Sequence, residues 1–321
     1  MIRHVLVFIS IGIWTFGCTS REEVHKIGGF FPESEQFWEI IPRDAYAERI
    51  GIAFEFTEGP AWHPDGYLIL SDIPANKIYK WTGKKYIDYR NPSNDSNGLL
   101  VESDGSVLAC EHGSRSLSRY SPLGELSVLV DQYKGKKLNS PNDLCKASNG
   151  AIFFTDPPYG LSEEYEDPEK ELGFGGVFRW HKSELSVIDS TLTWPNGIAL
   201  SPDDKYLYVA NTETIKVNGE DQYQMFWMRY TLDETGAVID KTIFFSATDT
   251  SLPGGPDGMK VDQKGNLFLT GPGGILVVDP DGNHLGTIGI PIPASNLAFG
   301  PKEKDLYVTA RSTVLRIALK Y

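Results

Sequence analysis

The sequence predicts an all-β fold, a six-bladed β-propeller closed around a central channel, and three observations predict it. One short phrase, an oxygen-bearing side chain just before an apolar run, occurs six times. A turn and a second strand-like run follow each phrase. The openings, Glu58, Asn97, Asn142, Asn196, Asp257 and Asn296, stand 39, 45, 54, 61 and 39 residues apart. Repeats of roughly 40 to 50 residues with several strands each are the pattern of propeller blades.

In order, the first runs are Glu58-Gly59-Pro60-Ala61-Trp62, Asn97-Gly98-Leu99-Leu100-Val101, Asn142-Asp143-Leu144-Cys145-Lys146, Asn196-Gly197-Ile198-Ala199-Leu200, Asp257-Gly258-Met259-Lys260-Val261 and Asn296-Leu297-Ala298-Phe299-Gly300. Turn residues follow, such as Pro64-Asp65-Gly66, Ser103-Asp104-Gly105, Ser148-Asn149-Gly150, Pro202-Asp203-Asp204 and Gln263-Lys264-Gly265. The second runs, for example Leu68-Ile69-Leu70, Ile152-Phe153-Phe154 and Leu306-Tyr307-Val308, complete antiparallel hairpins. Polar inserts lengthen two repeats, at Pro157 to Gly175 and Thr212 to Gln224, and are expected to be loops on one face.

Composition agrees with one all-β domain over residues 51–321. The chain has 321 residues, 40% of them hydrophobic and 12% aromatic, with 32 Gly and 20 Pro, which suits a turn-dense β protein with an ample core. A net charge of −13 argues against nucleic acid or an anionic membrane surface as partner. Residues 1–17 read as an export signal, in which Arg3 precedes the apolar run Val5 to Ile13 and Gly17 precedes Cys18. That run is too short to span a bilayer stably. Cys18 directly after a small residue resembles a lipoprotein signal, so the protein is expected to be exported and lipid-anchored to the cell envelope, in the periplasm or outer membrane, or otherwise secreted. Residues 18–50 read as a tether and lead-in, whose apolar patch Phe37 to Ile41 is expected to cover the propeller edge. Cys110 and Cys145 are too few for a disulfide scaffold or a cysteine metal site and read as small hydrophobes.

In a propeller the first strand of each blade lines the channel, so the six opening residues form a ring at one mouth. Two carboxylates and four amides, with no soft ligand, suit a hard divalent cation, Ca²⁺ before Mg²⁺, and Glu58 with Asp257 would balance its charge. Asn or Asp before Gly is also common in tight turns. Six in register, the first of them Glu, are poorly explained by turns alone. Residues fourteen positions further on, Asp72, Glu111, Asp156, Gly271 and Ala310, with Asn211 one later, are expected near the same mouth. His112, beside Glu111, falls there too, as a substrate contact, a proton carrier or a satisfied structural group. No Gly-x-Ser-x-Gly elbow, His-Glu-x-x-His, P-loop or dinucleotide fingerprint occurs.

At these residues the chain resembles the regucalcin and gluconolactonase family, six-bladed propellers that hold a divalent cation in the channel. The matching pieces are Thr57 to Trp62, Ser71-Asp72-Ile73-Pro74, Leu138 to Leu144, Thr155-Asp156-Pro157-Pro158-Tyr159-Gly160, Trp194 to Ile198 and Pro256 to Asp262. Regucalcin-like members carry Arg two residues before the Asn of the Asn-Asp pair. Here that residue is Ser140, and Leu138 to Leu144 looks like the bacterial gluconolactonase branch.

The resemblance implies metal ligation by Glu58, Asn142, Asn196 and Asp257. Asn97 and Asn296, at the same position in their repeats, are left for substrate, water or strand capping, and His112 and Asp143 are read as further substrate contacts. It implies Ca²⁺-dependent hydrolysis of a sugar lactone such as gluconolactone to the aldonic acid, with Mg²⁺, Mn²⁺ or Zn²⁺ as other metals. Asp257 is the first candidate for the base that activates water, and His112 the second. Alternatives are hydrolysis of other lactones or organophosphate esters on the same metal, or a non-catalytic propeller that binds at its surface.

Overall fold

The computed structural model describes residues 26–217, 220–247 and 251–321; the export signal and Cys18 lie outside them. Six antiparallel sheets form the blades. Blade 1 comprises Thr57–His63, Tyr67–Asp72, Lys77–Trp81 and Tyr86–Arg90, and blade 2 comprises Ser96–Val101, Val107–Glu111, Ser116–Tyr120 and Leu126–Val130. Blade 3 is Leu144–Lys146, Ile152–Asp156, Gly176–His181 and Glu184–Asp189, and blade 4 is Trp194–Leu200, Tyr206–Val217, Glu220–Leu232 and Val238–Ser246. Blade 5 is Met259–Val261, Leu267–Gly271, Gly274–Val278 and His284–Gly289. Blade 6 takes Asn296–Phe299, Asp305–Ala310 and Thr313–Ala318 from the C-terminal end of the chain.

The fourth strand of blade 6 comes from the other end of the chain. Ala47–Gly51 pairs antiparallel with Thr313–Ala318, Ile317 opposite Ala47 and Val314 opposite Gly51. The lead-in therefore enters the sheets, and the propeller begins before residue 51. Lys26–Ile27 adds a further strand to blade 6 and Gly29–Pro32 adds one to blade 5. The patch in between forms a short helix, Phe37–Ile40, and Phe37 and Ile41 are fully buried in the cluster between blades 5 and 6. Burying such side chains contributes about 1.5–3 kcal/mol each, so the lead-in helps to lock the first and last parts of the chain together.

Apolar packing lies between the blades, with one cluster at each of the six junctions. Ile69 and Ile78 of blade 1 meet Val107 and Ala109 of blade 2. Phe153 of blade 3 meets Val209 and Tyr230 of blade 4, and Leu70 of blade 1 meets Tyr307 and Val314 of blade 6. The predicted hairpin turns are real: the N–H of Gly66, Gly105, Gly150 and Gly265 each bonds the carbonyl three residues back, and each glycine has φ between +82° and +88°. The two inserts behave differently. Residues 157–175 run as loop with one 3₁₀ turn, Glu164–Glu166. The described residues of Thr212 to Gln224 do not form a loop as expected; they lengthen a hairpin, with Glu213 opposite Gln224 and Thr214 opposite Tyr223. Thr212 and Thr214 are β-branched and favour that extension.

At the axis the first strands of blades 1, 2 and 4 lose register with their neighbours, between Glu58 and Ala61, Ser96 and Leu99, and Pro195 and Ile198. Two residues leave the ladder there, and the freed backbone reaches the next blade. Gly98 N–H donates to the Asn142 carbonyl at 2.8 Å, Gly197 N–H to the Asp257 carbonyl at 3.1 Å, and Gly258 N–H to the Ser295 carbonyl at 2.7 Å. Hydroxyls make the other three joints: Ser71 Oγ to Asn97 O at 2.8 Å, Thr155 Oγ1 to Asn196 O at 2.6 Å, and Ser295 Oγ to Thr57 O at 2.7 Å. The six bonds close a belt around the channel.

Gly197 sits where a Cβ would lie 2.1 Å from the Asp257 carbonyl oxygen, an impossible contact. Gly197→Ala should therefore cost about 1–3 kcal/mol through overpacking. Gly66→Ala, in open space, should cost no more than its positive φ demands, about 1–2 kcal/mol. Thermal unfolding of both variants tests this, and a smaller loss for Gly197→Ala than for Gly66→Ala would contradict it.

Candidate metal centre and active site

At the mouth where the first strands begin, the channel opens into a cavity of about 430 Å³. Its polar wall is Glu58, Asn97, His112, Asn142, Asn196 and Asp257, and Phe56, Ile73, Pro74 and Tyr159 supply the rest. All four expected metal ligands thus meet in one cavity, joined by Asn97 and His112. Each ring residue reaches the axis because the belt holds its backbone there.

The electrostatics of this wall favour a cation. Burial pushes the Glu58 carboxyl up to about 7, and the charge of Asp143 adds to the effect. Burial, followed by the charges of Glu58 and Asp143, raises Asp257 well above the usual carboxylate range, against an amide hydrogen bond from Asn196. Asn97 Oδ1 and Asn196 Oδ1 are buried and accept no hydrogen bond from the protein. Two carboxylates that resist ionising together and two unpartnered amide oxygens are a donor set that a hard divalent ion would satisfy. Among the described residues no three His, Cys, Asp or Glu side chains cluster as a metal site, so amide oxygens must complete this one.

His112 is almost fully buried, and burial lowers its pKa to about 4, so the imidazole is neutral near pH 7. Its Nε2 lies 3.3 Å from Asn97 Nδ2. An amide nitrogen only donates, so the ring accepts there and carries its proton on Nδ1. This pairing turns Asn97 Oδ1 away from His112.

Asp143 and Asn296 are not on the cavity wall, contrary to expectation for substrate contacts. Asn296 Nδ2 donates to Glu58 Oε2 at 3.1 Å and to Asp143 Oδ2 at 3.4 Å. Glu58 Oε2 also accepts the Gly59 N–H at 2.7 Å, and Asp143 Oδ1 the Leu144 N–H at 2.9 Å. Both residues are buried off the cavity lining, where the amide bridges two carboxylates and holds Glu58 in place.

Of the residues fourteen or fifteen positions after an opening, Asp72, Asp156 and Asn211 serve the backbone and Glu111 is held by side chains. Asp72 accepts the N–H groups of Glu55 and Phe56, Asp156 that of Asn139, and Asn211 that of Trp194. Glu111 is satisfied by Asn94, Ser116, Ser118 and Tyr120. They anchor the segment that enters each first strand and lie outside the cavity lining.

Tyr159 belongs to the site, although its position outside the repeat gave no register signal. It stacks on Trp194 at 5.0 Å between ring centres, and burial raises its hydroxyl pKa. Ser140 Oγ sets the turn that carries Tyr159, donating to Pro157 O at 2.6 Å and accepting the Gly160 N–H at 2.8 Å. Gly160 lies against His112, where a Cβ would come within 2.6 Å of the ring. The insert is tied down further along by Arg115, which donates to Leu138 O and Glu169 O.

The family model described as the SMP-30/Gluconolactonase/LRE-like region matches residues 56–312. A gluconolactonase of Zymomonas mobilis is 37% identical, covering 92% of this chain and 87% of its own. A solved gluconolactonase structure from Xanthomonas campestris superposes with a TM-score of 0.78 at 30% identity, covering 92% of this chain and 97% of its own. A calcium-binding regucalcin from Agrobacterium tumefaciens shares the fold at a TM-score of 0.66 and 22% identity, covering 85% of this chain and 95% of its own.

Asn296→Leu should leave the buried carboxylates of Glu58 and Asp143 without their shared donor. A loss of about 1–3 kcal/mol is expected, read as a lower thermal midpoint. An unchanged midpoint would show that the amide does not hold this pair.

Proposed function

The chain belongs to the SMP-30/gluconolactonase/LRE-like family, and on that premise we propose that its channel mouth is the active site of a Ca²⁺-dependent sugar lactonase. The protein hydrolyses a sugar lactone to the aldonic acid. The observation that carries the site reading is the meeting of Glu58, Asp257, Asn142 and Asn196 on one cavity wall, with the Asn196 oxygen buried and unpartnered.

Those four side chains would hold the metal through oxygen, and Ca²⁺ suits two carboxylates and two amides better than a softer ion does. Calcium binding by the Agrobacterium regucalcin supports this choice. When bound, the ion supplies Lewis-acid stabilisation of the charge that builds on the lactone carbonyl oxygen. Asp257 takes the proton of a water as its oxygen attacks the carbonyl carbon, and returns the proton to the ring oxygen as the ester C–O bond breaks. Asn97, held by neutral His112, presents its amide oxygen to a hydroxyl of the sugar. Phe56, Ile73 and Pro74 form the apolar part of the wall that limits water. Glu58 is held by Gly59 and Asn296 and keeps its geometry through the cycle.

The protein is further proposed to be exported and anchored by a lipid on Cys18. Cys18→Ser should then release it from the membrane fraction, and a fatty-acid label should mark the native protein alone.

Purified protein should hydrolyse gluconolactone, lose that activity to a chelator and regain it with Ca²⁺ more fully than with Mg²⁺, Mn²⁺ or Zn²⁺. Asp257→Asn should lower kcat by about 10²–10⁴-fold, and Asn196→Leu should weaken Ca²⁺ binding in a calorimetric titration. Full activity in a chelator would sink the metal reading, and an active Asp257→Asn enzyme would remove Asp257 as the base.

A further inference from the structure

The mouth has a second compartment that a small neutral lactone does not need. A cavity of about 270 Å³ adjoins the first, sharing Phe56, Tyr159 and Asp257 with it. Thr212 and Tyr223 of the extended blade 4 hairpin, the Gly254-Gly255 stretch and Arg311 line other parts of it. Arg311 supplies the cationic side chain of this lining.

Arg311 occupies the turn between Asp305–Ala310 and Thr313–Ala318, at φ +54°. A left-handed turn position favours Gly or Asn, so Arg here carries a backbone penalty. The turn is fixed: the Arg311 carbonyl accepts the Thr57 N–H at 2.7 Å and the Thr57 hydroxyl at 2.8 Å, immediately before Glu58. From there the guanidinium lies 5.3 Å from the Phe56 ring centre. Its charge bears on Asp257, yet among the described residues no carboxylate forms an ion pair with it. The guanidinium is exposed and, among the described residues, forms no ion pair, so beside the reacting centre and facing a compartment with two tyrosines and a threonine it is free to receive an anion.

We propose that Arg311 binds a carboxylate on the non-reacting end of the substrate, and that the preferred substrate is an acidic sugar lactone, one carrying a second, free carboxylate. This rests on the lactonase reading and deepens it. The first cavity takes the lactone ring to Asp257, and the second takes the anionic arm, with the hydroxyls of Tyr223 and Thr212 as further donors.

The test compares a glucarolactone with neutral gluconolactone in the native protein, Arg311→Gln and Arg311→Lys, together with calorimetric binding of open-chain glucarate. The native protein should favour the acidic lactone in kcat/KM. Arg311→Gln should raise KM for that lactone by about ten- to a hundred-fold, change its kcat little and leave the neutral lactone within about two-fold. Arg311→Lys should recover part of the loss, and glucarate binding should weaken in parallel. An equal loss on both lactones, or none on the acidic one, would overturn the proposal while the lactonase reading stands. If the native protein turned over neither lactone, the lactonase reading would fail, and glucarate binding that did not depend on Arg311 would overturn the anion site as well.

Discussion

The belt of six hydrogen bonds around the channel is the constraint on which the rest depends. Each blade contributes backbone at its opening residue or, in blades 1 and 6, at the residue before it, and each joint reaches across to the next blade by a glycine N–H or a buried hydroxyl. The contact is so close that Gly59, Gly98, Gly197 and Gly258 could not carry a Cβ without striking the neighbouring strand or ring side chain. Glycine after the ring residue is therefore a packing requirement more than a turn signal. With register released at this point in blades 1, 2 and 4, the preceding side chain faces the channel while the glycine faces its neighbour.

Such convergence has an electrostatic cost. Glu58, Asp143 and Asp257 share a narrow, poorly solvated axis, and burial together with mutual repulsion disfavours ionising Glu58 and Asp257. Asn296 offsets part of the cost with two hydrogen bonds. The remainder is of the order of several kcal/mol when a buried charge lacks a partner, and it must be carried by packing elsewhere. The apolar clusters at the six blade junctions and the closure by Ala47–Gly51 supply that packing at a distance from the axis. Stability and chemistry thus occupy different radii of the same disc.

This division explains what the sequence made legible. The fold, and the meeting of Glu58, Asn142, Asn196 and Asp257 in one cavity, could be read because repetition places equivalent residues on one axis. Register says where a backbone lies but not where its side chain turns, and so Asn296 and Asp143, equally in or beside the ring, were expected at the substrate and are found behind Glu58. The same limit applies to Asp72, Asp156 and Asn211, whose side chains fold back onto the entering backbone. Tyr159 and Tyr223 stand outside the repeat, in an insert and an extended hairpin, and only folding brings them to Arg311, which follows Asn296 at the same offset as His112 follows Asn97. Closure of blade 6 was hidden because its four strands come from opposite parts of the chain.

The rim and the axis are also mechanically separate. Tyr159 is set by Ser140, whose hydroxyl bonds Pro157 and Gly160 and takes no part in the belt. Tyr223 stands on strands that extend beyond the body of blade 4, and Arg311 is joined to blade 1 through the Thr57 backbone and hydroxyl. A substitution at any of these positions can alter the shape or charge above the channel without moving the carbonyls that join the blades. Changes at the glycines or at Ser71, Thr155 and Ser295 act on the belt itself and move every ring residue at once. Substrate choice therefore resides in segments that can vary independently, whereas the reacting centre depends on a closed structure in which no ring position can shift alone.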